Sequence, residues 1–112
     1  MAATQIQADV IARRVGASPA VIDKRPGDMR PYVIDLQQLM LAGEIALSVG
    51  EVLAPGLQIG RVRTRGGLYL ELQIGGGESG KGGEPRDYPV TAPVTTSRGA
   101  LQVELDVRVH PR

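Results

Sequence analysis

The strongest constraint on the fold is a strict alternation of apolar and polar residues near the end of the printed sequence. One face of this stretch would carry Leu101, Val103, Leu105, Val107 and Val109. The opposite face would carry Gln102, Glu104, Asp106, Arg108 and His110. Because successive side chains of a strand point to opposite faces, the pattern predicts a strand with one buried and one solvated side. A helix would scatter the same aliphatic residues around its circumference, so the sequence favours β-structure.

Further alternating stretches predict the rest of a layered sheet protein. Residues 88–96 join the strand above through Ser97-Arg98-Gly99, which has the form of a hairpin turn. Residues 68–74 alternate in the same way after the turn glycines Gly66-Gly67. Residues 44–53 also alternate, with a predicted bulge at Gly50, and their inward side would carry Ile45, Leu47 and Val49. We predict a mostly β, antiparallel β-sandwich of about seven strands.

Two prolines limit how the strand at residues 88–96 can pair. Pro89 and Pro93 lie four residues apart, so their missing amide protons belong to the same side of the strand. That side is predicted to pair incompletely with a neighbour. The opposite side remains available to the strand at residues 101–109.

One short helix and an N-terminal arm complete the predicted organisation. Asp35 and Gln38 have the spacing of a capping box, and Gly43 would end a helix of one or two turns that turns Leu36, Leu39 and Met40 towards the core. Residues 1–25 are predicted to form an arm outside the core that serves oligomerisation or docking, although the same residues also suit an irregular edge strand. Residues 26–112 would then form the sandwich.

Composition excludes several classes of function. The chain has no cysteine and a single histidine, His110, which rules out a disulfide framework, a His-based metal cluster and a Ser-His-Asp triad. The net charge of +1, with no basic run, gives no indication of a nucleic-acid partner. No apolar stretch is long enough to cross a bilayer and no secretory signal is present, so we expect a soluble protein made in a cytoplasm.

The glycine-rich stretch at residues 75–85 partly fits a phosphate-binding loop, because Gly75, Gly80 and Lys81 have the spacing of that motif. Gly82 stands where the motif needs Ser or Thr to hold magnesium, and residues 83–87 are unsuited to starting the required helix. We therefore predict an exposed loop with no cofactor. Exposed loops often carry binding contacts, and Gly77 and Lys81 are candidates for such contacts.

Three arginines at every second position, Arg61, Arg63 and Arg65, are predicted to share one face of a strand. Surface charge is the normal state of a solvated strand face, which is the simpler interpretation. The alternative is a basic patch that contacts an acidic partner. With Gly77 and Lys81, these arginines are the candidate partner-contact residues, and no catalytic, cofactor or metal-binding residue is predicted.

The order of these signals resembles small tailed-phage structural proteins of the fibre–tail adaptor or neck type. The matching runs are Lys24-Arg25-Pro26-Gly27-Asp28, Tyr32-Val33-Ile34-Asp35-Leu36 with Leu39, Gly75-Gly76-Gly77, Tyr88-Pro89-Val90-Thr91, Thr95-Thr96-Ser97-Arg98-Gly99 and Val107-Arg108-Val109. The resemblance covers residues 24–109 and implies an immunoglobulin-like sandwich. It further implies a structural role for Tyr88 like that of a tyrosine corner.

The resemblance also implies a function without catalysis. The chain would be an assembly protein of a phage or prophage virion, bound to other phage structural proteins, as a homo-oligomer in the particle and without a small-molecule substrate. The alternative is an immunoglobulin-like accessory domain for a ligand or carbohydrate. The absence of Trp and Phe, with three tyrosines in all, argues against a carbohydrate platform. An enzyme is disfavoured because acids such as Glu71, Glu104 and Asp106 fall on predicted solvated faces.

Overall fold

The computed structural model describes residues 8–12 and 20–111. This part of the chain forms eight strands: β1 Val10–Ile11, β2 Ala20–Lys24, β3 Arg30–Asp35, β4 Ala46–Val49, β5 Leu57–Arg65, β6 Tyr69–Gly76, β7 Arg86–Thr96 and β8 Gly99–Val109. Two short 3₁₀ turns, Gln37–Leu39 and Lys81–Gly83, lie in the connections.

The strands form two four-stranded sheets, which confirms the predicted β-sandwich. One sheet has the order β1-β3-β6-β5 and the other β2-β8-β7-β4. The ladder between β7 and β8 is antiparallel from Arg86–Val109 to Thr96–Gly99, as the hairpin at residues 97–98 predicts. The prediction of a wholly antiparallel arrangement is wrong at two edges, because β1 pairs in parallel with β3 and β2 in parallel with β8. Parallel neighbours cannot be joined by a tight hairpin, so a local hairpin pattern does not reveal these pairs.

The strand order is that of an immunoglobulin-like sandwich. Constant-type immunoglobulin domains place strands A, B, E and D in one sheet and C, F and G in the other. Taking β3 as B and continuing to β8 as G gives B, E and D in the first sheet and G, F and C in the second. The strand β2 extends the second sheet beside β8. The order of β3 to β8 therefore matches the expected fold, whereas the parallel pairings of β1 and β2 depart from its antiparallel sheets.

The core lies between the sheets and is filled by the predicted alternating residues. On β6, the side chains of Leu70, Leu72 and Ile74 have no solvent exposure. On β8, Val103, Leu105, Val107 and Val109 are buried, while their polar neighbours face outward. The period-2 pattern thus identified the buried face of these strands correctly.

The inward face predicted for β4 is wrong. Ala46 is the buried residue of this strand, whereas Ile45 and Leu47 are 45% and 54% exposed. The pairing of β4 with β7 shifts register between Ala46 and Ser48, so the irregularity lies at Leu47 rather than at Gly50. An extra residue at a bulge changes which side chains face the core, and only Val49 of the predicted inward set packs against it.

The helix predicted after Asp35 is a single 3₁₀ turn, and the predicted capping box is wrong. Asp35 is the last residue of β3, pairs with Tyr69, and accepts a hydrogen bond from the Gln37 amide at 2.8 Å. The residue at the N-cap is Leu36, which makes no side-chain capping bond. The prediction that Leu36 turns inward is confirmed, since it is fully buried, and Leu39 and Met40 pack partly against the core.

The predicted arm includes residues that belong to the sandwich. Ala20, Ile22 and Lys24 of β2 point inward and are buried, so the prediction that these residues lie outside the core is wrong. Val10–Ile11 forms a two-residue edge strand, in agreement with the alternative interpretation. Residues 1–7 and 13–19 of the predicted arm lie outside the described residues, and its role in oligomerisation or docking stays a prediction.

The prolines of β7 have the predicted effect on pairing. β7 lies between β8 and β4, and β8 pairs with it along its whole length. On the other side, β4 pairs only with Val94, Thr95 and Thr96, and an isolated bridge joins Leu53 to Thr91. The incompletely paired side of β7 is therefore the β4 side, on which Pro89 and Pro93 have no amide proton to donate.

Candidate functional site

The three predicted arginines lie on the outer face of β5, but two of them already have an anionic partner. The β5–β6 register places Arg63 opposite Glu71, and both Arg63 and Arg65 form ion pairs with this carboxylate. The hydrogen bond from Arg63 is the main reason that the pKa of Glu71 is lowered. Arg61 uses its backbone amide to bind the side-chain oxygen of Gln73 at 3.2 Å, and its side chain is exposed. The one carboxylate offsets one of the three positive charges, so the triplet with Glu71 keeps a net charge of +2.

The predicted contact residues do not form one site. The β5–β6 register pairs Arg65 with Tyr69 at one end of the ladder and Leu57 with Gly76 at the other. At about 3.3 Å per residue, these ends are roughly 25 Å apart. The loop that carries Gly77 and Lys81 follows Gly76, so it lies at the opposite end from Arg65.

The glycine-rich loop is anchored to the sandwich by Tyr88. The buried Tyr88 hydroxyl donates to the Glu78 carbonyl at 3.1 Å and accepts from the Glu78 amide at 2.9 Å. A tyrosine at the start of strand F that bonds upstream backbone is the arrangement of a tyrosine corner, which agrees with the role expected for Tyr88. Lys81 lies in the exposed 3₁₀ turn beyond this anchor.

Gly77 has a packing role in the structure. A side-chain carbon added there would lie 2.8 Å from Cγ2 of Val109 and 3.0 Å from Cδ2 of Leu57. The absence of a side chain thus lets the loop close over the core. Contact of Gly77 with a partner stays a prediction.

An exposed apolar surface that the sequence did not indicate follows the open side of β7. It belongs to residues 45–53, which we call the edge segment, and it exposes Ile45, Leu47 and Leu53, the last by 61%. The Gly50 amide donates to the Pro93 carbonyl at 2.8 Å, and Leu53 exchanges two backbone hydrogen bonds with Thr91 at 2.9 Å each. These bonds hold the edge segment along the sheet while its larger side chains face solvent.

A buried carboxylate fixes the start of the edge segment. Glu44 accepts hydrogen bonds from the Leu41 amide, at 2.9 Å, and from the Thr96 hydroxyl. The Thr96 hydrogen bond, followed by that from Leu41, holds the pKa of Glu44 below its usual value. Since Thr96 belongs to β7, this carboxylate ties the turn before β4 to the neighbouring strand.

A second site that the sequence did not indicate is a pocket at the end of β2. It is lined by Asp23, Lys24, Arg25, Asp28, Arg30, His110 and Pro111. The Lys24 side chain is only 3% exposed, and its Nζ donates to the carbonyls of Arg25 and Gly76 at 2.7 Å each. Burial lowers the pKa of this ammonium, and the charge of Asp28 opposes the shift.

The rim of this pocket is held by side-chain contacts. Nε2 of His110 lies 2.6 Å from Oδ1 of Asp23. Nε of Arg30 donates to the Tyr32 hydroxyl at 3.1 Å, and the guanidinium lies over the Tyr32 ring at 4.9 Å from its centroid. We call this site the Lys24 pocket. The sequence signal that could have revealed the pocket is the position of Lys24, which falls on the same face of the strand as the apolar residues Ala20 and Ile22.

Other site types find little support in the described part of the chain. Within residues 8–12 and 20–111, no three His, Asp or Glu side chains group as metal ligands would. No helix among these residues is long and apolar enough to span a membrane. Of the three tyrosines, Tyr32 and Tyr88 are buried, which leaves Tyr69 as the partly exposed ring.

Comparison with known proteins adds no relative: no family model matches the sequence, and neither the curated proteins nor the solved structures searched contain a match. The class of the protein therefore rests on its fold, which is a two-sheet β-sandwich whose strands β3 to β8 follow the immunoglobulin-like order.

Proposed function

We propose that this chain is a non-enzymatic structural module that assembles with other proteins through protein–protein contacts. The observation that carries the proposal is the exposed apolar surface of the edge segment. Leu47 at 54% and Leu53 at 61% exposure are large aliphatic side chains held on a strand edge by backbone hydrogen bonds. Burying such side chains against a partner would contribute favourable free energy of about 25 cal/mol per Å² of apolar area.

The edge segment differs in charge from the longer edges of the two sheets. Edge strand β5 carries three arginines, and edge strand β2 carries Asp23 and Lys24. Charged side chains on an edge are a common protection against association. Residues 45–50 contain no charged side chain, and the first charge of the edge segment is Glu51. The surface is therefore suited to being covered.

We propose a second copy of the chain as the partner that covers the edge segment. A neutral apolar surface offers no charge by which to select a charged partner, and it is complementary to a copy of itself. Such a contact closes as a two-fold dimer, the commonest symmetry of homo-oligomers. The candidate residues Arg61 and Lys81 would then remain available for other components of the assembly.

The assembly we propose is a phage or prophage particle, in which the chain acts as a fibre–tail or neck adaptor. This part of the proposal rests on the sequence resemblance, supported by the immunoglobulin-like strand order. Portal, head-completion or tail genes beside the coding gene would support it. A metabolic operon at that place would contradict it.

The edge-segment contact is tested by Leu47→Lys and a matched control, Met29→Lys. Met29 is a similarly sized apolar side chain, 46% exposed and outside the edge segment. Light scattering over a concentration series from micromolar to millimolar should show the wild-type mass rising from 11.9 kDa towards twice that value. Leu47→Lys should weaken this association about tenfold or more, because a charge would be buried in the contact. Met29→Lys should behave as wild type.

Two results would refute the contact. One is a wild-type protein that keeps the mass of a single chain at every concentration. The other is a Leu47→Lys variant that associates as strongly as Met29→Lys. Leu47 contributes little to the core, so Leu47→Lys is expected to keep the sandwich intact. Circular dichroism of each variant checks this.

A further inference from the structure

The Lys24 pocket and the edge segment lie at opposite edges of the same sheet. The sheet order β2-β8-β7-β4 separates β2, which carries Lys24, from β4 by two strands. The pocket opens between the β2–β3 connection and the end of β8, where His110 and Pro111 line it. A ligand bound here would not compete with a partner on the edge segment.

The floor of the pocket is a buried cation that lacks an ion-pair partner in the described part of the chain. No carboxylate among residues 8–12 and 20–111 forms an ion pair with Lys24. Its Nζ carries three donor protons, and two carbonyls, those of Arg25 and Gly76, accept from it. Charged groups are rarely buried without a counter-charge, because desolvation disfavours the charged form. Asp28 supplies a negative charge nearby but forms no ion pair with Lys24, so the third donor is the position at which an anionic ligand would bind.

The charges of the lining indicate which anion fits. Lys24, Arg25 and Arg30 contribute three positive charges, and Asp23 and Asp28 contribute two negative ones, so the lining carries +1 with His110 neutral. His110 occupies one oxygen of Asp23, and the Arg30 Nε is held by Tyr32. A single carboxylate neutralises this lining. A phosphate dianion would leave excess negative charge beside the two aspartates.

We propose that the Lys24 pocket is a binding site for one carboxylate group, which accepts a hydrogen bond from Lys24 Nζ and lies near the guanidinium groups of Arg25 and Arg30. The source of the carboxylate, which rests on the proposed assembly function, is an acidic side chain of a partner protein. The site would give the assembly a polar, orienting contact in addition to the apolar contact of the edge segment.

The test is an NMR titration of the full chain with N-acetyl-glutamate amide, a probe that has one side-chain carboxylate. The amide resonances of Lys24, Arg25, Gly76 and His110 should shift in a saturable way at constant ionic strength. N-acetyl-glutamine amide, which has the same shape without the charge, should leave them unchanged. Inorganic phosphate should bind more weakly than the carboxylate probe.

Two pocket variants and one control assign the site. Lys24→Met keeps the length of the side chain but removes the charge, and it should weaken binding about tenfold or more. Arg25→Gln changes an exposed side chain, so it should fold normally and weaken binding about twofold to fivefold. Lys81→Met removes a cation from the glycine-rich loop and should bind as wild type. If Lys24→Met does not fold, Arg25→Gln against Lys81→Met decides the result.

The proposal is overturned by shifts that do not saturate, by equal shifts with the glutamine probe, or by equal affinity of Arg25→Gln and Lys81→Met. Phosphate binding tighter than that of the carboxylate would overturn the assigned anion. The titration is repeated on Leu47→Lys, which alters only the edge segment. Carboxylate binding by this variant without self-association would separate the pocket from the apolar contact, so the failure of one proposal is distinguishable from failure of the other.

Discussion

Replacing Leu72 with alanine is expected to lower the free energy of unfolding by about 2–5 kcal/mol. Leu72 lies on the central strand β6, pairs with Tyr32 of β3 and Val62 of β5, and has no solvent exposure. The variant loses buried apolar area and leaves a cavity that the tightly paired strands cannot close. Urea unfolding followed by circular dichroism measures the change, since the chain has no tryptophan to report it.

Leu47→Ala is the matched control for Leu72→Ala. The same atoms are removed, but Leu47 is 54% exposed on the edge segment. Its expected cost is below about 0.5 kcal/mol when measured at low concentration, where self-association does not contribute. Similar losses for the two variants would contradict the assignment of inward and outward faces in the sandwich.

Replacing Gly56 with alanine is expected to cost about 2–5 kcal/mol, from two sources that add. Gly56 has a φ of +87°, a left-handed conformation that costs an L-residue roughly 1–2 kcal/mol. The new carbon would also lie 2.6 Å from Cε1 of Tyr88, and such overpacking typically costs about 1–3 kcal/mol. The ring cannot move away freely, because the Tyr88 hydroxyl is bonded to both backbone groups of Glu78.

Gly43→Ala separates these two sources. Gly43 has a similar φ of +81°, but no atom lies within 4 Å of an added carbon. Its expected cost is therefore only the conformational part, about 1–2 kcal/mol. Equal losses in the free energy of unfolding for Gly43→Ala and Gly56→Ala would mean that the Tyr88 ring moves away from the new carbon. That result would contradict the anchoring role given to the Tyr88 hydroxyl.

The sequence predicts the centre of the sandwich well because the physical signal there is local. In β6 and β8 every second residue is aliphatic, and side chains of a strand alternate faces by covalent geometry. The turn glycines at residues 66 and 67 and the hairpin at residues 97–98 then set which neighbouring strands pair. The edge strands are harder to predict, because β2 and β4 pair with strands that lie far along the chain.

The features of the candidate sites depend on those distant contacts. Alternation predicts that Ile45, Leu47 and Val49 share one face, but the register shift against β7 breaks this phase, so Leu47 is exposed while Val49 packs against the core. Lys24 looks like a surface residue because lysines are mostly exposed, and its burial depends on hydrogen bonds that Nζ donates to the carbonyls of Arg25 and of Gly76 in the other sheet. Likewise, Arg63 and Arg65 look like a basic patch until the β5–β6 register places Glu71 between them. Composition and periodicity do not give these distant pairings, although the phase of Lys24 with Ala20 and Ile22 indicates an inward side chain.

The central claim, that the edge segment meets a second copy, is tested most directly by cysteine cross-linking. The chain has no native cysteine, so Leu47→Cys introduces a single thiol in the edge segment and Met29→Cys introduces one outside it. Under mild oxidation at a concentration where the wild type associates, Leu47→Cys should form a disulfide-linked dimer much faster than Met29→Cys. A two-fold contact through the edge segment brings the two thiols near each other, within the short range that a disulfide requires. Equal cross-linking rates for the two variants would contradict the account.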